Sequence, residues 1–188
     1  MKRLFPSLPD QAHLADVLKA FPETVRPLME FHDILMRGDS DLSVAERELI
    51  AAYVSGLNAC SFCFGAHKLM ARAFGMEVSL MDNLVNDPDH ADVDDAMRPL
   101  LAYVAKLTRT PSMLTEEDAQ AVYAAGWSEA ALYDAIQTCA LYNLMNRIVE
   151  GTGVAPYPDI AEDRMDEELS ARRSRTYMDF GRSIGVID

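Results

Sequence analysis

Apolar residues recur at three- and four-residue intervals along almost the whole chain, and this spacing limits the fold more than any other feature. One example is the apolar set Met97, Leu100, Leu101, Val104 and Leu107. Such spacing places apolar side chains on one face of a helix, and no segment has a convincing strand pattern. The chain has 188 residues, of which 49% are hydrophobic, enough to bury one full core. We therefore expect an all-α fold in a single domain.

Capping residues and glycines indicate where the helices begin and end. Ser43-x-x-Glu46 is a capping box, which predicts a helix that runs to about Ser55 and ends at Gly56. Gly75 has the position of a C-terminal cap for the next helix. The predicted helices have approximate bounds 10–21, 23–37, 43–55, 58–75, 77–83, 92–107, 115–125, 128–150 and 162–180.

Two cysteines and a histidine lie together in the fourth predicted helix, one helix after an acidic residue, Glu48. The spacing of Cys60, Cys63 and His67 places all three on one stripe of that helix. Both thiols would lie in the first turn, where free N–H groups and the helix dipole favour a thiolate. A protonated His67 is expected to lower the pKa of Cys63 further. We interpret the cluster as a redox-active dithiol with its own proton-transfer groups.

Other interpretations of the Cys-x-x-Cys pair remain open. Structural zinc requires four ligands, and the remaining candidates show no second paired spacing. Those candidates are His13, His32, His90 and Cys139. A thioredoxin-type motif would follow a strand, whereas residues 46–55 have a helical pattern. The pair could also be inert core residues, which is our interpretation of Cys139 in the apolar helix 128–150.

The composition bears on partners and compartment. A formal net charge of −13 and a pI near 4.6 argue against nucleic acid and anionic membranes as partners. No apolar run approaches the roughly 18 residues that span a bilayer. The start from Met1 to Pro6 is basic but precedes no apolar stretch, so we expect no signal peptide. Three cysteines are too few for a disulfide scaffold, and we expect a cytoplasmic protein.

The same residues, in the same order, resemble the alkylhydroperoxidase D-like branch of the carboxymuconolactone decarboxylase superfamily. The motif begins with an acid, which eleven residues that include a glycine turn separate from a Cys-x-x-Cys pair. Three further residues then precede a histidine. These residues are Glu48, Cys60, Cys63 and His67. The segment 142–149 also resembles the subgroup of peroxidase-related proteins.

The likeness covers about residues 15–155 and implies an alkylhydroperoxidase D-like helical bundle. It also implies that subunits assemble into dimers, trimers or hexamers. We accordingly expect an N-terminal helical lead-in at 1–40, a core at 41–155, and a linker with a C-terminal extension helix at 156–188. The last segment is expected to contact another subunit.

The resemblance implies a thiol-dependent reductase of small hydroperoxides that serves in antioxidant defence. Cys63 would attack the peroxide, and Cys60 would resolve the resulting sulfenic acid into a disulfide. His67 would accept the thiol proton, and Glu48 would orient the imidazole. No bound cofactor is expected. An external dithiol of lipoyl or thioredoxin type would reset the enzyme.

One position departs from the family pattern. The peroxidase members carry a histidine immediately before the second cysteine, where this chain has Phe62. The departure supports one alternative, a non-catalytic redox-sensing helical module. A second alternative is a lactone decarboxylase of the same superfamily, but those enzymes lack the cysteine pair that is present here.

Overall fold

The computed structural model describes residues 3–188, which form ten α-helices and no strand. The helices are α1 (Leu14–Ala20), α2 (Val25–Arg37), α3 (Val44–Leu57), α4 (Ser61–Ala73), α5 (Val78–Asn86), α6 (Met97–Arg109), α7 (Glu116–Ala124), α8 (Glu129–Thr152), α9 (Met165–Ser174) and α10 (Tyr177–Ser183). The all-α prediction is confirmed. Met1 and Lys2, in the segment predicted not to be a signal peptide, lie outside the described residues. None of the described helices has the length and apolar character needed to cross a membrane.

Helix α3 lies at the centre of the core. Its residues 47–55 are all buried, as expected for a helix with neighbours on every side. It packs against α4 most extensively, and also against α5, α6 and α8. The predicted capping box is present, because the Ser43 hydroxyl accepts from the Glu46 N–H and the Glu46 carboxylate accepts from the Ser43 N–H. The cap sets the start of the helix that carries Glu48.

The end of α3 differs from the prediction. The helix continues to Leu57, so Gly56 lies inside it. The residue with left-handed backbone after the helix is Ala59, with φ of 53°. Gly56 serves packing instead, because a Cβ there would lie 2.4 Å from Cγ2 of Val85 on α5. The prediction that Gly56 ends the helix was therefore wrong.

The C-terminal segment forms two helices where the sequence predicted one at 162–180. Helix α9 ends at Ser174, and Thr176 caps α10 by accepting a hydrogen bond of 3.0 Å from the Asp179 N–H. Apolar side chains of α9 pack on α4, and those of α10 pack on α2. The extension thus covers its own chain, and its contact with another subunit stays a prediction.

Candidate active site

The turn after α3 holds the two thiols at the start of α4. The helix begins at Ser61, so Cys60 is its N-cap and Cys63 alone lies in the first turn. The Cys60 N–H donates to the Ser55 carbonyl at 2.9 Å. Ala59, between the two helices, adopts a positive φ that is uncommon for a residue with a side chain. This backbone geometry fixes Cys60 relative to α3.

Both thiols are free and nearly inaccessible, with Cys60 0% and Cys63 4% exposed. Hydrogen bonding from the Cys60 thiol lowers the pKa of Cys63 against the opposing effect of burial, and the Asn146 amide acts in the same direction as Cys60. The same interaction, together with burial, raises the pKa of Cys60. Cys63 is therefore the thiol that ionises first, and Cys60 is the neighbour that keeps its proton.

Asn146 reaches the thiols from α8 and is itself held on two sides. Its Nδ2 donates to the Ser55 hydroxyl at 3.0 Å, and its Oδ1 accepts from Asn58 Nδ2 at 2.9 Å. Ser55 in turn donates to the Ala51 carbonyl at 2.7 Å. The amide is 2% exposed, so water cannot replace these bonds. The network joins α8 to the turn that carries Cys60.

Glu48 and His67 form a buried pair next to the thiols. The Nδ1–H of His67 donates to Oε2 of Glu48 at 2.6 Å, and Nη1 of Arg37 donates to Oε1 at 2.7 Å. Burial would raise the pKa of Glu48, but His67 and Arg37 outweigh it and lower that pKa below its usual value. Because the carboxylate can only accept, Nδ1 carries the imidazole proton, and Nε2 is left for other partners.

Arg37 and two tyrosines complete the surroundings of Glu48. Tyr177 from α10 donates its hydroxyl to Oε1 of Glu48 at 3.5 Å and lies 3.1 Å from the Tyr142 hydroxyl. Burial raises the pKa of both tyrosines, so both hydroxyls stay protonated. The ring of Tyr142 packs edge-on against His67, with 4.2 Å between ring centroids. The imidazole is thus held by packing as well as by Glu48.

A second histidine, His32 of α2, also lies near Tyr142, with 6.0 Å between the ring centroids. Its Nδ1–H donates to the Leu28 carbonyl at 2.7 Å, and its ring centroid lies 4.7 Å from that of Tyr177. Burial lowers the pKa of His32 to about 4, so the ring is neutral near pH 7. Its Nε2, which accepts no hydrogen bond from the described residues, is available as an acceptor.

These groups surround a cavity of about 350 Å³. Cys63, His67 and His32 line it together with both tyrosines. Cys60 and Glu48 do not line it, and both are fully buried behind those residues. A molecule in the cavity would therefore meet the thiol of lower pKa and the imidazole first. The described residues contain no group of three or more side chains arranged to hold a metal ion.

The structure brings together all four residues singled out in the sequence, but not every predicted contact is present. Glu48 contacts His67 and Cys60 interacts with Cys63, as expected. In contrast, Cys60 and Asn146 lower the pKa of Cys63, whereas the sequence suggested His67 for that role. Sequence reasoning missed five neighbours of the site, which are His32, Arg37, Tyr142, Asn146 and Tyr177. Only Tyr142 and Asn146 carried a signal, because they lie in the family-like segment 142–149.

Comparisons with known proteins give a consistent result. The model of the carboxymuconolactone decarboxylase family matches residues 22–79. An uncharacterized peroxidase-related protein from Silicibacter sp. is 30% identical, with 75% of each chain covered and a TM-score of 0.69. An uncharacterized peroxidase-related protein from Ralstonia eutropha, described as an alkylhydroperoxidase AhpD core, is 25% identical. That match covers 86% of this chain and 80% of the other, with a TM-score of 0.72.

A third structure shares the fold alone. It is a protein of unknown function from Agrobacterium tumefaciens that is 20% identical, with 77% of this chain and 97% of the other covered and a TM-score of 0.67. None of the curated proteins compared with the chain matches it. Each of the three structures covers three quarters or more of this chain.

Proposed function

Because the chain belongs to the alkylhydroperoxidase D-like branch of the carboxymuconolactone decarboxylase superfamily, we propose that it is a thiol-dependent hydroperoxide reductase. One observation carries the proposal. A thiol of lowered pKa, Cys63, lines the same cavity as His67, whose imidazole is oriented by the buried carboxylate of Glu48. A nucleophile, a proton carrier and an orienting acid are the parts that thiol peroxidase chemistry needs.

In the first step the Cys63 thiolate attacks the distal oxygen of the hydroperoxide. The S–O bond forms as the O–O bond breaks, so Cys63 becomes a sulfenic acid and the substrate leaves as an alkoxide. The alkoxide needs a proton to leave as an alcohol. His67 is suited to take the proton of the Cys63 thiol on Nε2 as the thiolate forms and to pass that proton to the alkoxide, because Glu48 holds Nδ1 and orients the ring.

In the second step the Cys60 thiol condenses with the Cys63 sulfenic acid. A disulfide forms and one water molecule leaves, which ends the oxidative half of the cycle. Two electrons and two protons from an external dithiol then return both cysteines to thiols. A lipoyl or thioredoxin-type dithiol remains our expected reductant. The raised pKa of Cys60 fits the resolving role, since that thiol stays protonated while Cys63 attacks.

Phe62 stands where the peroxidase members have a histidine, and this difference bears on the second candidate. That candidate is a redox sensor whose dithiol becomes oxidised without efficient turnover. The low exposure of both cysteines supports this alternative, because a protein dithiol has little access to a disulfide at that place. The decarboxylase alternative receives no support from this site, in which the dithiol is the central feature. Assembly into dimers, trimers or hexamers remains our expectation from the family.

The decisive experiment measures continuous peroxide consumption with dihydrolipoamide, and separately with a thioredoxin-type protein, as reductant. We expect turnover by the wild type, none by Cys63→Ser and none beyond a single oxidation by Cys60→Ser. Cys139→Ser is the matched control, because that buried thiol lies on α8 next to Thr108 and outside the site. One oxidation per chain without turnover in the wild type would favour the sensor.

A further inference from the structure

The cavity beside Cys63 is far larger than hydrogen peroxide requires. A water-sized molecule occupies about 30 Å³, whereas the cavity holds about 350 Å³, in the range of pockets for organic ligands. Much of its wall is apolar. The apolar lining includes Leu14, Met29, Phe62, Ala66, Met70 and Met145. This wall would bury the carbon skeleton of an organic hydroperoxide, and hydrogen peroxide would leave it unused.

The outer part of the same cavity carries positive charge. Arg172 of α9 and Arg175, which follows α9, both line it, and Arg175 and Thr176 are exposed. Cys63 is 4% exposed, so the arginines mark the surface end of the cavity and the thiol marks its interior end. An apolar space between a reactive group and a cationic opening suits a molecule with an apolar body and an anionic head.

The two guanidinium groups have donors to spare. Arg172 donates to the Tyr157 hydroxyl and lies 3.6 Å from Oε2 of Glu168, but its Nε is buried without a hydrogen-bond partner. Arg175 forms no ion pair with any described residue. The bond to Tyr157 uses one of the donors of Arg172. It explains neither the buried Nε of Arg172 nor the presence of Arg175 at the cavity. Unused guanidinium donors are well matched to a carboxylate.

The local charge favours an anion with a single charge. Arg172 and Arg175 face one lining carboxylate, Glu168, which leaves one positive charge at the opening. The chain as a whole carries −13, so its overall field repels anions and only such a local site would attract one. We propose that the substrate is an organic hydroperoxide with a carboxylate head, bound by Arg172 and Arg175, whose apolar body places the hydroperoxide at Cys63. This inference rests on the proposed function.

Binding is measured first, with an unreactive probe, so that the result does not depend on turnover. Isothermal titration calorimetry compares a medium-chain hydroxy fatty acid, the expected type of product, with its methyl ester. We expect the acid to bind the wild type about tenfold more tightly than the ester, because charge-assisted hydrogen bonds to arginine are the stronger kind. The preference should fall at high salt, since the opening is exposed to solvent.

Arg175→Gln is the first variant, because its exposed side chain can be replaced without loss of a described contact. We expect the preference for acid over ester to fall to about threefold or less, and to vanish in Arg172→Gln, Arg175→Gln. Arg173→Gln is the control for charge, since it removes the same charge one residue from Arg172 but does not line the cavity, and glutamine keeps a donor for the Ala73 carbonyl that Arg173 binds. The preference of the Arg173→Gln variant for acid over ester should equal that of the wild type.

Turnover of the corresponding hydroperoxy acid and ester separates the two proposals. Equal binding of acid and ester, or a preference that Arg175→Gln and Arg173→Gln reduce equally, would overturn the carboxylate inference even if both peroxides were reduced. Preferential binding without reduction of either peroxide would uphold the carboxylate site and count against the reductase. Reduction of both, with kcat/KM higher for the acid by the ratio seen in binding, is the result we expect.

Discussion

The helix pair α3–α4 and the segments that flank it contribute to the site in different ways. The pair supplies the reacting groups from one stretch of chain, residues 48–67. The flanks, α2 and α9–α10, supply Arg37, His32, Tyr177 and the arginines of the cavity opening. In the proposed reaction a local motif therefore supplies the chemistry, whereas segments from far apart in the sequence shape the cavity that a substrate would enter. Family membership bears on the residues of the motif and says little about the residues that the flanking segments add to the cavity.

The largest effect is expected where the two regions meet, at Glu48. Glu48→Gln should reduce peroxide turnover about a hundredfold or more, because His67 loses its orienting acid. It should also lower the free energy of unfolding by about 3 kcal/mol, since Arg37 is left as a largely buried charge without its partner. Steady-state kinetics and urea denaturation measure the two losses. Glu129→Gln, an exposed acid at the start of α8, should change neither by a comparable amount.

A pH effect is expected to come from the flank. The pKa of His32 is about 4 in the folded chain and 6.5 unfolded, so the unfolded chain binds more protons between these values. Stability should therefore fall as the pH drops from about 6.5 to about 4, by at most about 3 kcal/mol from this group. His32→Asn, whose amide nitrogen can take the place of Nδ1 as donor to the Leu28 carbonyl, should flatten that part of the profile in chemical denaturation. An unchanged profile would show that folding does not lower the pKa of His32.

Within the core pair, the acidity of Cys63 should depend on Asn146 more than on His67. Asn146→Ala should raise the Cys63 pKa, because one of the hydrogen bonds that favour the thiolate is lost. The pH dependence of iodoacetamide alkylation in a Cys139→Ser background measures it. Gln137→Ala, on the same helix but outside the cavity, is the control. A larger shift in His67→Ala than in Asn146→Ala would restore the assignment made from the sequence.

The smallest expected effect belongs to Tyr177. Tyr177→Phe removes the hydroxyl shared by Glu48 and Tyr142 and should cost about 1 kcal/mol of stability. Turnover should fall only severalfold, because the contact with Glu48 is long and Arg37 still holds the same oxygen. Tyr133→Phe, whose ring is 60% exposed on α8, should leave both quantities unchanged. Equal losses in the two variants would mean that the flank does not support the site through this hydroxyl.

Most of the fold could be predicted because its signals are local. The capping box at Ser43 and the glycine cap at Gly75 stand where the sequence indicated. Gly56 was misread because close packing and a helix stop both favour glycine, and only the position of Val85 distinguishes them. Sequence alone could have revealed the start of α10, since Thr176-x-x-Asp179 has the form of a capping box.

The contacts of the site likewise divide into those between neighbouring helices and those between residues far apart in the sequence. Glu48 and His67 could be paired from the resemblance to the family motif, and they lie on consecutive helices that pack against each other. Tyr177 lies 129 positions from Glu48, and no periodicity relates the two. Arg37 precedes Glu48 by eleven residues, but a basic residue near a helix end has an adequate explanation in the helix dipole. Long-range pairs of this kind follow only from the packing of whole helices.

The backbone of Ala59 has a consequence for how this protein could change. A left-handed alanine costs about 1 kcal/mol that glycine would not, while glycine gives the unfolded chain more freedom by a similar amount. Ala59→Gly is therefore close to neutral for the melting temperature. It is not neutral for Cys60, whose direction depends on the neighbouring dihedral angles. Glycine at this turn would widen the range of positions open to the Cys60 thiol relative to Cys63, so the geometry of the site can lose precision here without a loss of stability.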